Sequence, residues 1–225
     1  MSPDDASFVL QSYGFPLAAA EVFGTIEEAA LAAHRIGGPV ALKAVGATLI
    51  HKSDVGAVLL DLEGADRVLE AGKELIDKLA AKGLDGSIEG FMIQEMVKGG
   101  REVILGMAHD RSFGPLLMFG LGGKYVEIFN DVCFRVVPIT DNEAREMLTS
   151  ITGYPILAGA RGEEPIDQDF LAECLERLSR LVETFEEIGE IDINPLVCFE
   201  PRESFRAVDA RIRIRSQSEL ALDDN

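Results

Sequence analysis

Hydrophobic and polar positions along this chain follow two periods, and the switches between them mark out helices and strands. Between Ala65 and Lys82, Val68, Gly72, Leu75 and Leu79 recur at helical spacing, as do Leu171, Cys174, Leu178, Leu181 and Phe185 farther on. Both segments are expected to be amphipathic helices packed on sheets. Helix starts are marked by polar residues. Ser2 precedes Pro3, Asp4 and Asp5, while Thr25 with Glu28 and Thr140 with Glu143 match capping-box spacing. Helices are therefore expected from about Pro3 to Tyr13, Ile26 to Ile36 and Asp141 to Ser150. Alternating or continuous apolar runs predict strands at Val40 to Ala44, Ala57 to Leu62, Gly90 to Val97 and Glu102 to Ala108. Four more follow at Leu116 to Phe119, Val132 to Val137, Glu190 to Val197 and Ala207 to Ile214. The elements mix without strict alternation, and the glycine-bearing turn around Lys98 divides them, which predicts an α+β chain of two lobes.

Composition narrows the class. A chain of 225 residues with 47% hydrophobic content can bury a substantial core. Its longest apolar runs are interrupted by charge and glycine, so no membrane span is expected, and the opening MSPDDASF lacks the basic stretch of a signal peptide. Cys133, Cys174 and Cys198 are far apart and without metal-ligand spacing, which fits reduced thiols and a cytoplasmic location. A formal charge of -18 repels polyanions at long range and argues against nucleic acid and acidic membranes as partners. It does not exclude a nucleotide held by a few local cations.

Three clusters could carry chemistry. In PVALKAVGATLIHKSDVGAV, residues 39 to 58, Lys43 ends an apolar run that predicts a buried strand, and Gly46, Thr48 and Ser53 suit a loop that approaches phosphate oxygens. Two readings stand for Lys43: a phosphate ligand, or a snorkelling surface residue. His51 lies beyond it beside Lys52, Ser53 and Asp54, where a neutral imidazole could act as a nucleophile toward phosphorus. His34 and His109 are expected at the surface, the latter in a turn. In EIDINP, residues 190 to 195, strand alternation sends Asp192 and Asn194 to one face. Asp209, expected in a strand, is placed for a hairpin to return it beside Asn194. Such hard oxygen donors suit Mg2+, or else the wet face of a sheet. The glycines Gly120, Gly122 and Gly123 follow an apolar strand and fit either a phosphate-side loop or a tight turn with a bulge. Gln94 to Val97 closes a strand before the hinge, where backbone groups could read an adenine edge, and Glu102 begins the next strand.

Taken in order, LK at 42 to 43, HKSDVG at 51 to 56, QEMV at 94 to 97, GREV at 100 to 103, FGPLLMFGLGG at 113 to 123 and DINPLV at 192 to 197 resemble one family. The chain is similar to the ATP-grasp domain, or β subunit, of NDP-forming acyl-CoA synthetases such as ADP-forming acetyl-CoA synthetase, from the first helix to about Arg213. The resemblance implies an α+β ATP-grasp fold whose two lobes clasp ATP or ADP. It implies that Lys43 contacts phosphates, Glu95 and Val97 line the adenine site, Glu102 holds the ribose, and Gly120, Gly122 and Gly123 form the phosphate-side loop. Asn194 and Asp209 would bind Mg2+, with Asp192 a further candidate, and His51 would carry the phosphoryl group. It also implies a partner: a CoA-binding and ligase α subunit, or fused upstream domains. The expected division is a lead-in over 1–23 on the larger lobe, a small lobe over 24–97, a large lobe with the metal site over 98–215, and a flexible tail over 216–225. A different class, the nucleotide-sensing module of a synthetase-like protein acyltransferase, is the alternative.

Overall fold

The computed structural model describes residues 1–46, 49, 55–123, 130–200 and 205–220. It forms two compact units, one of residues 18–98 and one that combines residues 1–17 with 99–225. The chain passes between them after Leu17 and after Lys98.

In the smaller unit, strands β1 (Ala20–Phe23), β2 (Val40–Val45), β3 (Val58–Leu62) and β4 (Gly90–Glu95) form a sheet in the order β1-β4-β2-β3. All its pairings are antiparallel. Helices α2 (Ile26–Ile36) and α3 (Gly64–Ala80) cover one face. Ala29, Ala33, Val68, Leu75 and Leu79 pack there against Val40, Leu42, Ala44 and Ile93. The start of α2 is the expected capping box: Thr25 accepts from the Glu28 backbone N–H, and the Glu28 carboxylate accepts from that of Thr25. Its end is a left-handed Gly37, φ +74°, a conformation a side chain would strain. Strand β1 was not expected. It is four residues long and mostly exposed, so no apolar pattern announces it, and it places residues 18–23 in this unit instead of with the lead-in.

The larger unit holds β5 (Arg101–Asp110), β6 (Gly114–Leu121), β7 (Val132–Val136), β8 (Ile188–Cys198), β9 (Arg206–Ala207) and β10 (Ala210–Ile214). Its sheet runs β10-β8-β5-β6-β7, with β9 paired to β8. Helices α1 (Pro3–Ser12), α4 (Asp141–Ser150) and α6 (Gln168–Thr184) supply the apolar layer, and a four-residue α5 (Tyr154–Leu157) follows α4. Leu10, Met147, Leu171, Leu178 and Leu181 share one core with Val103, Leu105, Leu117, Phe119, Ile191 and Ile193. Thr140 and Glu143 close the second expected capping box. Arg177 of α6 donates to the Gly14 carbonyl and lies over the Phe170 ring, tying the end of α1 to α6. Residues 217–220, expected within a flexible tail, form the short helix α7 (Gln217–Leu220), and Glu219 accepts from the Ser216 backbone and hydroxyl. No helix among the described residues is long and apolar enough to cross a membrane.

Candidate functional site

Each unit carries part of the predicted constellation. In the smaller one, Lys43 is the fourth residue of β2 and not its end, because Ala44 and Val45 continue the pairing with Phe91 and Gly90. Val40, Leu42 and Ala44 point into the core under the helices, so alternation sends Lys43 to the opposite face, between Met92 and Val58. As a residue it is 8% exposed. Just past it, Gly46 passes over the Ser87 carbonyl so closely that a Cβ would lie 1.9 Å from that oxygen. Only glycine fits this crossing. Thr48, His51, Lys52, Ser53 and Asp54, the rest of this cluster, lie outside the described residues.

Glu95 closes β4, half-buried, and its carboxylate accepts from the Ala19 N–H at 2.9 Å while its own N–H donates to the Ala19 carbonyl. The side chain thus anchors the entry into β1. Val97, also half-buried, follows the strand.

In the larger unit, β8 alternates: Ile191 and Ile193 are buried, whereas Asp192 is half-buried and Asn194 exposed. Opposite Asn194 and Pro195, the register against β5 shifts between Val103 and Leu105, so two residues of β8 face one of β5. Proline has no N–H to give the ladder, and such bulges re-aim neighbouring side chains. Asp209 lies in a bend between β9 and β10, not inside a strand as expected. Its carbonyl nonetheless accepts from the Asn194 N–H at 2.9 Å, so the two residues are brought together across the sheet.

Electrostatics on this polar face are set by an alternation of acids and arginines. Arg211 pairs in register with Asp192, and its guanidinium lies 3.7 Å from the Asp209 carboxylate. Arg213 pairs with Glu190 at 3.4 Å and Glu219 at 3.0 Å. Burial raises the Asp192 carboxyl above its ordinary value; Arg211 opposes this, while Asp209 and Glu190 add to it. Next to the acids opens a cleft of about 450 Å³, with Gly106 and Met118 among its lining residues together with His109, Phe134, Glu190 and Asp192. His109 lies in β5, not in the expected turn, and contacts the Arg215 guanidinium.

The glycines at the end of β6 and just past it serve close packing. At Gly120, within the strand, a Cβ would come 2.6 Å from the Asp131 carbonyl. Gly122 donates to the Glu102 carbonyl at 2.7 Å, and Gly123 turns at φ +91° against the Glu102 carboxylate. Glu102 is exposed on β5, so this corner presents a carboxylate beside bare backbone. Sequence reasoning missed two residues here. Asp131 accepts from the Thr152 and Gly153 N–H groups, both at 2.7 Å, and Arg211 stands between the acids. The signal for Arg211 was the alternation of Arg211, Ile212 and Arg213; for Asp131, whose partners are remote in sequence, there was none.

Among the described residues no group of three His, Cys, Asp or Glu side chains could hold a metal. The Asn194 amide and the Asp209 carboxylate, on residues whose backbones are hydrogen-bonded, are hard oxygen donors of the kind that Mg2+ takes together with phosphate oxygens and water.

The family described as the ATP-grasp domain matches residues 1–214. An "Acetate--CoA ligase [ADP-forming] II subunit beta" of Pyrococcus furiosus is 41% identical over 212 residues, covering 94% of this chain and 90% of that protein. A "4-hydroxybutyrate--CoA ligase [ADP-forming]" of Nitrosopumilus maritimus is 41% identical over 93% of this chain, which spans only 30% of that longer protein. The dinucleotide forming acetyl-coenzyme A synthetase 1 of Ca. Korarchaeum cryptofilum has been solved with coenzyme A and Ca-AMPCP, and superposes with a TM-score of 0.87 at 38% identity over 94% of this chain and 92% of that one. A second structure of it, with coenzyme A, Mg-AMPPCP and a phosphohistidine segment pointing towards the nucleotide binding site, superposes with a TM-score of 0.80 at 36% identity, covering 96% and 92%.

Proposed function

This chain belongs to the ATP-grasp family, on the branch of the ADP-forming acetate–CoA ligase β subunits, and from that premise we propose that it moves a phosphoryl group between a histidine and ADP. Its fold is the expected α+β ATP-grasp fold. The observation that carries the reading is the backbone hydrogen bond that brings Asp209 to Asn194 at the larger sheet, with the Arg211 guanidinium 3.7 Å from the Asp209 carboxylate. These two residues would hold Mg2+, which supplies charge neutralisation at the phosphates when bound. Glu102 and the Gly122–Gly123 corner would receive the ribose and adjacent phosphates. In the other unit, Lys43 would direct its ammonium at a phosphate, and Glu95 and Val97 would border the base.

In the ATP-consuming direction, a nitrogen of His51 attacks the γ-phosphorus. An N–P bond forms, the bond to the β-phosphate bridging oxygen breaks, ADP leaves, and the ring proton passes to solvent. A phosphoramidate of this kind retains enough transfer potential to run backwards onto ADP. The acyl-CoA chemistry would belong to a CoA-binding α subunit or fused domain, since this chain spans less than a third of the single-chain relative.

Intact-mass spectrometry at neutral to alkaline pH after incubation with Mg-ATP tests this. The expected result is one acid-labile phosphate on the wild-type protein and none on His51→Ala, with both binding Mg-ADP equally in calorimetry. Equal labelling of His51→Ala would remove His51 from the reaction.

A further inference from the structure

On β10, Ile212 is buried in the core, so Arg211 and Arg213 share the polar face. Arg213 is committed on both sides, to Glu190 and Glu219. Arg211 is placed differently. It stands opposite Asp192 in register and 3.7 Å from Asp209, at a separation longer than a hydrogen bond, with both side chains of that ion pair 46% exposed. The contact is therefore ionic and adaptable. A cation that settles on Asp209 must displace or repel this guanidinium. The phosphates that arrive with the metal offer oxygens that a planar guanidinium binds well.

We infer that Arg211 is a positioning residue that exchanges partners. It pairs with the Asp209 carboxylate, opposite Asp192, while the metal is absent, and turns to a nucleotide phosphate when a divalent cation takes Asp209. The inference rests on the nucleotide reading above and adds a residue to which that reading gave no role. It requires effects of opposite sign on two ligands, which a merely structural surface pair would not produce. With Arg211 removed, a divalent cation alone should bind more tightly, because a competing positive charge is gone. The metal–nucleotide complex should bind more weakly, because a phosphate partner is gone.

Wild type, Arg211→Gln and Arg211→Lys would be titrated with Mn2+, followed by the paramagnetic resonance signal of the free ion, and with ADP in excess Mg2+ by calorimetry. For Arg211→Gln, Mn2+ affinity should rise and Mg-ADP affinity fall, each by roughly threefold to fivefold, the scale of a half-exposed ion pair. Both differences should shrink as salt is raised. Arg211→Lys should keep the wild-type Mn2+ affinity and recover only part of the ADP affinity. Changes of the same sign, or none, in a variant whose wild type binds Mg-ADP would overturn the exchange and leave the proposed function standing. A wild type that does not bind Mg-ADP would overturn both.

Discussion

In the smaller unit, β2 sets one lysine among five apolar residues, and that residue is buried in a strand paired on both sides. In the larger unit, β8 spreads its polar groups as an alternating row, with Glu190, Asp192 and Asn194 on one face and Ile191 and Ile193 on the other. Under the proposed function, the first arrangement makes stability and chemistry share a residue. The second separates them, because the polar face can be altered while the core behind it stays packed. Ligand-binding variation should therefore be tolerated far better on β8 than on β2.

The largest expected effect tests that separation directly. Ile193 is wholly buried, so Ile193→Ala should cost about 3 kcal/mol in urea denaturation, transfer and cavity terms together. A loss under about 1 kcal/mol would mean that the two faces of β8 are not divided as the burial pattern indicates. Next comes Gly46→Ala in the other unit. The added Cβ would meet the Ser87 carbonyl, a backbone atom that cannot swing aside, and the expected cost is about 2 kcal/mol. Amide hydrogen exchange should quicken across residues 18–98 and stay unchanged in the larger unit; acceleration throughout both would show that they do not open independently.

The smallest effect belongs to Asp192, and its sign follows from burial. A carboxyl whose folded pKa lies above its unfolded value weakens the fold as pH rises between the two values, and the cost then stays constant. Asp192→Asn should remove that cost. Without metal, stability at neutral pH should rise by less than about 1 kcal/mol, given the group's partial exposure to screening solvent. Below about pH 3, where the carboxyl is protonated in either state, the variant and wild type should coincide. Stability lowered at neutral pH would show that Arg211 outweighs burial.

The same contrast governs what could be read from residue order. Local chemistry was legible: both threonine capping boxes form, α2 and α4 begin and end at their expected residues, and the period of two along β8 correctly divides its faces. The hairpin spacing brought Asp209 to Asn194, although a bend replaced the expected strand at Asp209 itself. What failed depended on partners remote in the chain. Strand β1 exists because β4 offers it an edge, and nothing in its own pattern shows that. A charge normally closes an apolar run, which predicts a strand end at Lys43; the pairing of Ala44 and Val45 with β4 carries the strand past it. The glycines at and past the end of β6 suggest conformational freedom, yet Gly120 and Gly122 are fixed by how near Asp131 and Glu102 approach.

The route of the backbone also orders events in time. Pro16 accepts from the Ala207 N–H, and Leu17 bridges to the same residue, so the first helix completes its packing only with strands from near the other end of the chain. On a ribosome adding roughly 5–20 residues per second, α1 waits on the order of ten seconds or more for those strands. Residues 18–98 emerge as a whole in the interval and are free to fold first. During synthesis the apolar side of α1, with Ala6 and Leu10, thus stays uncovered until those strands emerge, which makes it a natural place for a chaperone to hold the nascent chain.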